Sequence, residues 1–296
     1  MLKLNIPNSD FRKIGSNLYV SELIDIKSDG SGTVHKPMLD YGSMEPKKIP
    51  YVYDTGDHMF HVHRFMKYSH LQDSLNKGGI SLCFVSPKEW PDPFEQLLYD
   101  EQKPLVCMCC TYERTEAEEA GWNRSNNGNE PYVRVSYNYS KMCELLQDYG
   151  KRNNISFYIT IADYCNSIEQ ILGARNKVIK TIKEYISLLS LKRKAFAYEN
   201  ELRIFAFGEN LKDKDLFKVD LSCSPKDLIS FITLPPYPPF TREDDRFPYY
   251  SAIQYIHNLG MRKKLEKYLN SKNVWQSHLY ETKKTDSKVQ KIKKIF

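Results

Sequence analysis

Glu199 and Glu201 stand two residues apart in the run Lys194–Phe207, KAFAYENELRIFAF. In an extended chain residues i and i+2 point to one side, so both carboxylates face the same solvent or ligand, and Arg203 continues that face. Like charges that close repel. The repulsion raises the pKa of at least one, and it is tolerated where a ligand or a neighbouring base resolves it. The alternative is a solvated Glu/Arg ladder without chemistry.

Two other groups of residues offer chemistry. His61 and His63 place two imidazoles on one strand face with His58 nearby, the beginning of a metal site that would need a further ligand from elsewhere. Hydrogen bonding in a cleft is the commoner use of such histidines, and no bound metal is expected. Cys107 and Cys110 form one Cys-x-x-Cys in VCMCC, with no second pair to complete a zinc set, so buried free thiols are expected. The chain has no Gly-x-Gly-x-x-Gly turn after a strand, no Walker-type Gly-Lys-Ser/Thr and no His-Glu-x-x-His. Dinucleotide-fold dehydrogenases, P-loop enzymes and the common zinc hydrolases are thereby excluded.

These residues must be positioned by strands that alternate with turns and by a few helices. Met59 to Phe65, Ile80–Val85, Leu105 to Tyr112, Val133 to Tyr137, Leu216–Leu221 and Ile229–Leu234 have strand patterns. Leu71 to Lys77 reads as a short helix closed by Gly78 and Gly79, and Ser86-Pro87 with Pro91-Asp-Pro93 forces a polar turn after the second strand. Helical spacing covers Lys141 to Tyr149, a long stretch from Ile168 to Leu191, and a closing helix from Ser251 to Leu269. The stripe Ile168, Ile171, Leu172, Ile179, Ile182, Ile186, Leu189 is the predicted buried face. Residues 115 to 131 read as a surface loop, and Pro235 to Pro239 as a stiff connector. With no regular β-α-β alternation, the pattern predicts an α+β fold.

The chain has 296 residues, enough for a substantial core, and its organisation reads as an N-terminal extension of short strands (1–50), a main α+β domain with the motifs (51–240) and a C-terminal helical segment with a basic tail (241–296). Forty-three basic and 37 acidic side chains leave +6, much of it on lysines of the last 16 residues. That permits a polyanionic partner without demanding one. In the tail, Val289, Ile292 and Ile295 recur between lysines as a short basic amphipathic helix would require. Seven cysteines and no apolar leader predict reduced thiols in a cytoplasm, and no apolar run approaches the roughly 18 residues of a membrane span.

Three segments, His61–Phe65 (HVHRF), Ile80–Glu95 (ISLCFVSPKEWPDPFE) and Lys194–Ile204 (KAFAYENELRI), together resemble the bacterial domain-of-unknown-function 2971 family. That family shares a Tyr-Arg strand, a Ser-x-Pro-x-x-Phe-Asn-Asp-Pro-Phe-Glu turn, a strand ending in Cys-Phe-Ser and a Lys-x-x-x-Trp-x-Tyr-Glu-x-Glu-x-Arg strand. The resemblance runs from about residue 58 to 235. Pro91 stands for the usual Asn, His63 for a common Tyr, and Trp122 in a longer loop is what remains of a Met-Trp-x-x-Tyr block. These departures bear on substrate preference more than on fold.

The order of parts also resembles, more distantly, the ADP-ribosyltransferase superfamily: a basic residue on a first strand, a Ser ending a second, and Glu-x-Glu near the start of a later one. Arg64, Ser86 and the pair Glu199 and Glu201 occupy those places. The resemblance implies a split mixed or antiparallel sheet core with flanking helices, and an enzyme that takes NAD as substrate and modifies a protein or nucleic-acid acceptor. It further implies a toxin or phage-defence effector with an inhibitor partner. Glu201 is then the carboxylate at the ribose 2′-hydroxyl and Glu199 the group that orients or deprotonates the acceptor. Arg64, Ser86, His63 and Arg203 are the cofactor-binding candidates, Arg64 for the pyrophosphate and Ser86 for the nicotinamide ribose. In the PDPFE turn, Asp92 is expected to cap its own loop, Glu95 to face the cleft or pair with Arg203, and Trp90 and Phe94 to anchor the core. Two other readings remain, a non-enzymatic binding or regulatory module on the same fold and a metal-dependent nuclease-like effector built on the histidines.

Overall fold

The computed structural model describes residues 10–40, 47–112, 122, 130–165, 168–176, 178–236 and 247–277. Along the chain the strands are β1 (Phe11–Lys13), β2 (Leu18–Ser21), β3 (Ile24–Ile26), β4 (Ser31–Asp40), β5 (Lys47–Met59), β6 (His61–Lys67), β7 (Ile80–Val85), β8 (Leu105–Thr111), β9 (Tyr132–Asn138), β10 (Ser156–Ile161), β11 (Asp163–Cys165), β12 (Leu191–Arg193), β13 (Glu201–Phe207), β14 (Leu216–Leu221), β15 (Ile229–Leu234) and β16 (Val274–Gln276). The α-helices are α1 (Tyr68–Asn76), α2 (Pro93–Gln96), α3 (Tyr139–Asn153), α4 (Ile168–Arg175), α5 (Ile182–Leu189), α6 (Pro225–Leu228) and α7 (Phe247–Leu265). The fold is α+β with mixed parallel and antiparallel sheets. Contacts group the chain into two interleaved units: unit 1 is residues 1–62, 81–113 and 138–222, and unit 2 is 63–80, 114–137 and 223–296.

In unit 1 the sheet runs β1-β2-β10-β13-β8, with β7 joined to β8 and β14. Only β2 and β10 run parallel; the other pairs along this path are antiparallel. β13 lies between β10 and β8, where Tyr158 and Cys107 flank Phe205 and where Thr160 and Cys109 flank Arg203. One face of β13 is therefore apolar at its far end and charged at its start. Phe205, Leu105, Cys107 and Tyr158 pack there with Trp90, with Ile171 of α4 and with Tyr185, Ile186 and Leu189 of α5. The opposite face packs against α3, whose Tyr149 ring meets Phe157 of β10 at 6.5 Å.

α3 is bounded by two asparagines: Asn138 accepts from the Lys141 N–H at 3.0 Å, and Asn154 ends the helix in the left-handed region at φ 53°. The chain then returns close to the helix, because a Cβ on Gly150 would lie 2.4 Å from the Ile155 carbonyl. Only glycine allows that approach. The long helix predicted over residues 168–191 is two helices. The chain leaves α4 at Arg175 and re-enters at Ile182 through a capping box between Thr181 and Glu184. Ile171, Ile186 and Leu189 of the predicted stripe are buried, whereas Ile168 and Leu172 are exposed. A separate sheet of unit 1 pairs β3, β4 and β5 antiparallel.

Unit 2 has the strand order β6-β9-β15-β16, with β6 belonging to it from His63 on. β15 pairs antiparallel with β9 and parallel with β16. Phe231 of β15 stacks on Trp275 of β16 at 4.4 Å, and Trp122, fully buried, meets Phe65 edge to face at 4.9 Å. The rest of the predicted 115–131 loop lies almost wholly outside the described residues, as do most of the proline connector and the whole basic tail. Among the described residues no helix is long and apolar enough to cross a membrane. The seven cysteines are free.

Candidate active site

The start of β13 gathers charged side chains inside unit 1. Glu199 ends a 3-10 turn (Lys194–Glu199), Asn200 takes φ 43°, and Glu201 opens the strand. The two glutamates thus meet through a third residue and not through strand alternation. Lys192 Nζ lies 2.7 Å from Glu199 Oε2 and 2.6 Å from Glu201 Oε2. Lys192 is held there by a short parallel ribbon in which it stands opposite Tyr164, whose hydroxyl accepts the Glu201 N–H at 3.0 Å.

Arg203 follows Glu201 on the same face and closes a fork on it. Its Nε donates to Glu201 Oε1 at 3.0 Å and its Nη2 to Oε2 at 3.1 Å. Nη2 also pairs with Glu95 Oε1, Nη1 donates to the Leu189 carbonyl, and the guanidinium lies over the Trp90 ring at 4.4 Å. Glu95 reaches this position from α2. That helix is started by Asp92, which accepts the Phe94 N–H at 3.1 Å and pairs with Arg193 Nε at 2.9 Å. Lys192 stands 4.0 Å from Glu95 Oε2. The side chains of Lys192, Glu95, Glu199, Glu201 and Arg203 are all less than one-tenth exposed.

Burial pushes the Glu201 carboxyl up, but Arg203 and Lys192, with a thiol hydrogen bond from Cys109, outweigh it and hold the group well below its ordinary 4.5. The repulsion expected between the glutamates is resolved by bases. Glu95 goes the other way. Burial is its largest influence and raises it above 4.5 despite Arg203 and Lys192. Both acids touch Arg203, and distance decides between them: Glu201 takes two bonds from Arg203 and has Lys192 at 2.6 Å, whereas the same ammonium is 4.0 Å from Glu95. Lys192 is raised because the glutamates outweigh its own desolvation. Cys109, opposite Arg203 in the β8–β13 ladder, is exposed.

Of the residues singled out by sequence, Glu199, Glu201 and Arg203 form one network. Ser86 ends β7 in the same unit, with its backbone N–H on the Asp215 carbonyl at 2.9 Å. Its buried hydroxyl has no hydrogen-bond partner among the described residues. Arg64 and His63 belong to unit 2. Arg64 is half-buried, with a buried Nη1 that has no partner among the described residues. The His63 ring is buried with Nδ1 2.8 Å from Ser136 Oγ. His61 is half-buried and His58 exposed. Among the described residues no cluster of three or more His, Cys, Asp or Glu is arranged to hold a metal.

Sequence reading missed Lys192 and Tyr164. The signal for Lys192 was the acidic pair itself, since two carboxylates on an apolar strand require a cation and Lys192 follows the helix that precedes them. No protein-family model, curated protein or solved structure matches the chain.

Proposed function

We propose that unit 1 carries the catalytic carboxylates of an ADP-ribosyltransferase-type enzyme that consumes NAD and modifies a protein or nucleic-acid acceptor. The supporting observation is the charge balance of the buried network, in which three carboxylates face two cations. Surplus negative charge where water is scarce favours a reaction whose transition state is cationic. Cleavage of the bond between ribose and nicotinamide is such a reaction: the bonding pair leaves with the pyridine nitrogen, nicotinamide departs neutral, and positive charge builds on the ribose. Glu201, held ionised, is assigned to the ribose. Glu199 takes the proton of the attacking acceptor.

In this reading Arg203 is a positioning residue, since Glu201, Glu95 and the Leu189 carbonyl engage its donors. Arg64 has a guanidinium nitrogen suited to pyrophosphate oxygens, and Ser86 a hydroxyl suited to a ribose. The mixed sheet of unit 1 is assigned to the split-sheet core of the same superfamily. A bacterial toxin or phage-defence role belongs to this proposal.

One observation favours a second reading, a binding module without NAD chemistry. Glu199 and Glu201 already share Lys192, as the members of a purely structural ion cluster would. The two readings are separated by incubating the full chain with NAD labelled in the adenylate and with cell lysate. Nicotinamide release with label transferred to a macromolecular fraction supports the enzyme. No release with any fraction supports the module.

A further inference from the structure

Tyr68, the first residue of α1, is 8% exposed, and its hydroxyl is buried with no hydrogen-bond partner among the described residues. A buried donor left unpaired costs stability unless a ligand takes it. Tyr68 lines a cleft of about 140 Å³ that lies within unit 2. Gln72 and Leu75 extend the wall along one face of α1, at i+4 and i+7, and Lys264, Leu265 and Lys267 from the end of α7 form the other side. At the rim, the Tyr268 hydroxyl donates to Asn76 Oδ1 at 2.6 Å.

The chemistry of this lining is cationic and donating. Among the described residues neither Lys264 nor Lys267 has an ion-pair partner, and both are exposed. Burial, and then Tyr268, raise the Tyr68 phenol above its ordinary 10.0, so at neutral pH it is a donor and not an anion. Leu75 and Leu265 are buried and give the cleft an apolar floor. A cavity of roughly this volume takes one group the size of a small ring.

We propose that this cleft is a binding site for a small organic oxyanion. The anionic head sits between the ammonium groups of Lys264 and Lys267 and accepts the Tyr68 O–H, while a short apolar stem rests on Leu75 and Leu265. The site is independent of the glutamate network and of any NAD chemistry. A phosphate monoester and a carboxylate share this recognition.

Calorimetric titration of the full chain with phenyl phosphate and with benzoate tests the site and tells the two head groups apart. Saturable binding of either is expected. The double variant Lys264→Ala/Lys267→Ala should weaken it about tenfold or more, since two charge-assisted contacts are lost. Tyr68→Phe should weaken it about fivefold, the value of one hydrogen bond. It should also leave the unliganded protein melting at the same or a higher temperature, because it deletes an orphaned buried hydroxyl. A purely structural Tyr68 would lower the melting point and leave affinity alone. Absence of saturable binding of both probes in the millimolar range overturns the proposal, as does binding that either variant leaves unchanged.

Discussion

Lys192 Nζ lies 2.6 Å from Glu201 Oε2, with both side chains less than one-tenth exposed. Two opposite charges removed from water gain little net stability from their pairing, because desolvation cancels most of the attraction, but removal of one leaves the other buried and uncompensated. The pair therefore fixes geometry more than it stabilises. It ties the segment after α5 to the first residue of β13, and through Arg203 to the α2 turn.

Lys192→Met is expected to lower unfolding stability by about 3–5 kcal/mol, the cost of breaking a buried ion pair. Urea denaturation measures it. Because Lys192 also serves Glu199 at 2.7 Å, the added change Glu199→Gln should restore part of the loss by removing the surplus carboxylate. A double variant whose loss equals the sum of the two single losses would show that the three groups are not coupled.

The two perturbed carboxyls give opposite pH dependences. Glu201 has a folded-state pKa held well below 4.5, so its contribution is fully present above 4.5 and is lost as pH falls towards the folded value. Glu95 is raised above 4.5, so it favours the folded state at low pH and that advantage is lost as pH rises through its folded value. Urea midpoints measured against pH should show a flatter acid limb in Glu201→Gln than in the wild type. Glu95→Gln should keep that limb and remove a decline above pH 4.5. Identical profiles for both variants and the wild type would contradict the assignment of either group.

Strands with one buried face were legible in the sequence. Ile80–Val85 alternates buried Ile80, Leu82 and Phe84 with half-exposed neighbours, and the pattern gives its bounds directly. β10 was not legible, because Phe157 to Ile161 is buried on both faces, and a run without alternation carries no period. The split between α4 and α5 was hidden for a related reason: both helices bury one stripe, and the stripes happen to fall in register across the break that Thr181 caps. Within the candidate site, the link from Glu95 to Arg203 was readable from the turn motif. Lys192 was not, since a lysine next to Leu191 and Arg193 reads as a surface residue until the ribbon opposite Tyr164 turns it inward.

The cap that ends this break should be worth measuring by itself. Thr181 accepts the Glu184 N–H at 3.2 Å, and Glu184 accepts the Thr181 N–H at 3.1 Å. Thr181→Ala should cost about 1 kcal/mol in thermal or urea unfolding. A change near zero would mean that packing of Ile186 and Leu189 alone starts α5.

The glutamate pair separates catalysis from scaffolding most sharply. Glu201→Gln removes the charge that would stabilise a ribosyl cation but keeps the side chain's size and an oxygen for Arg203, so NAD consumption should fall roughly 10²-fold or more. NAD affinity should change little. Because Glu201 is also bonded to Lys192, a melting curve must accompany the assay, and the loss of turnover must be measured below the variant's own transition. Glu199→Gln supplies the control that stability cannot mimic. Its charge lies one residue outside the strand, on the acceptor's side of the proposed chemistry, so it should reduce transfer to a macromolecule more than it reduces hydrolysis of NAD by water. A split between the two activities in Glu199→Gln, absent from Glu201→Gln, assigns the roles; equal loss of both in each variant makes the pair a structural cluster around Lys192.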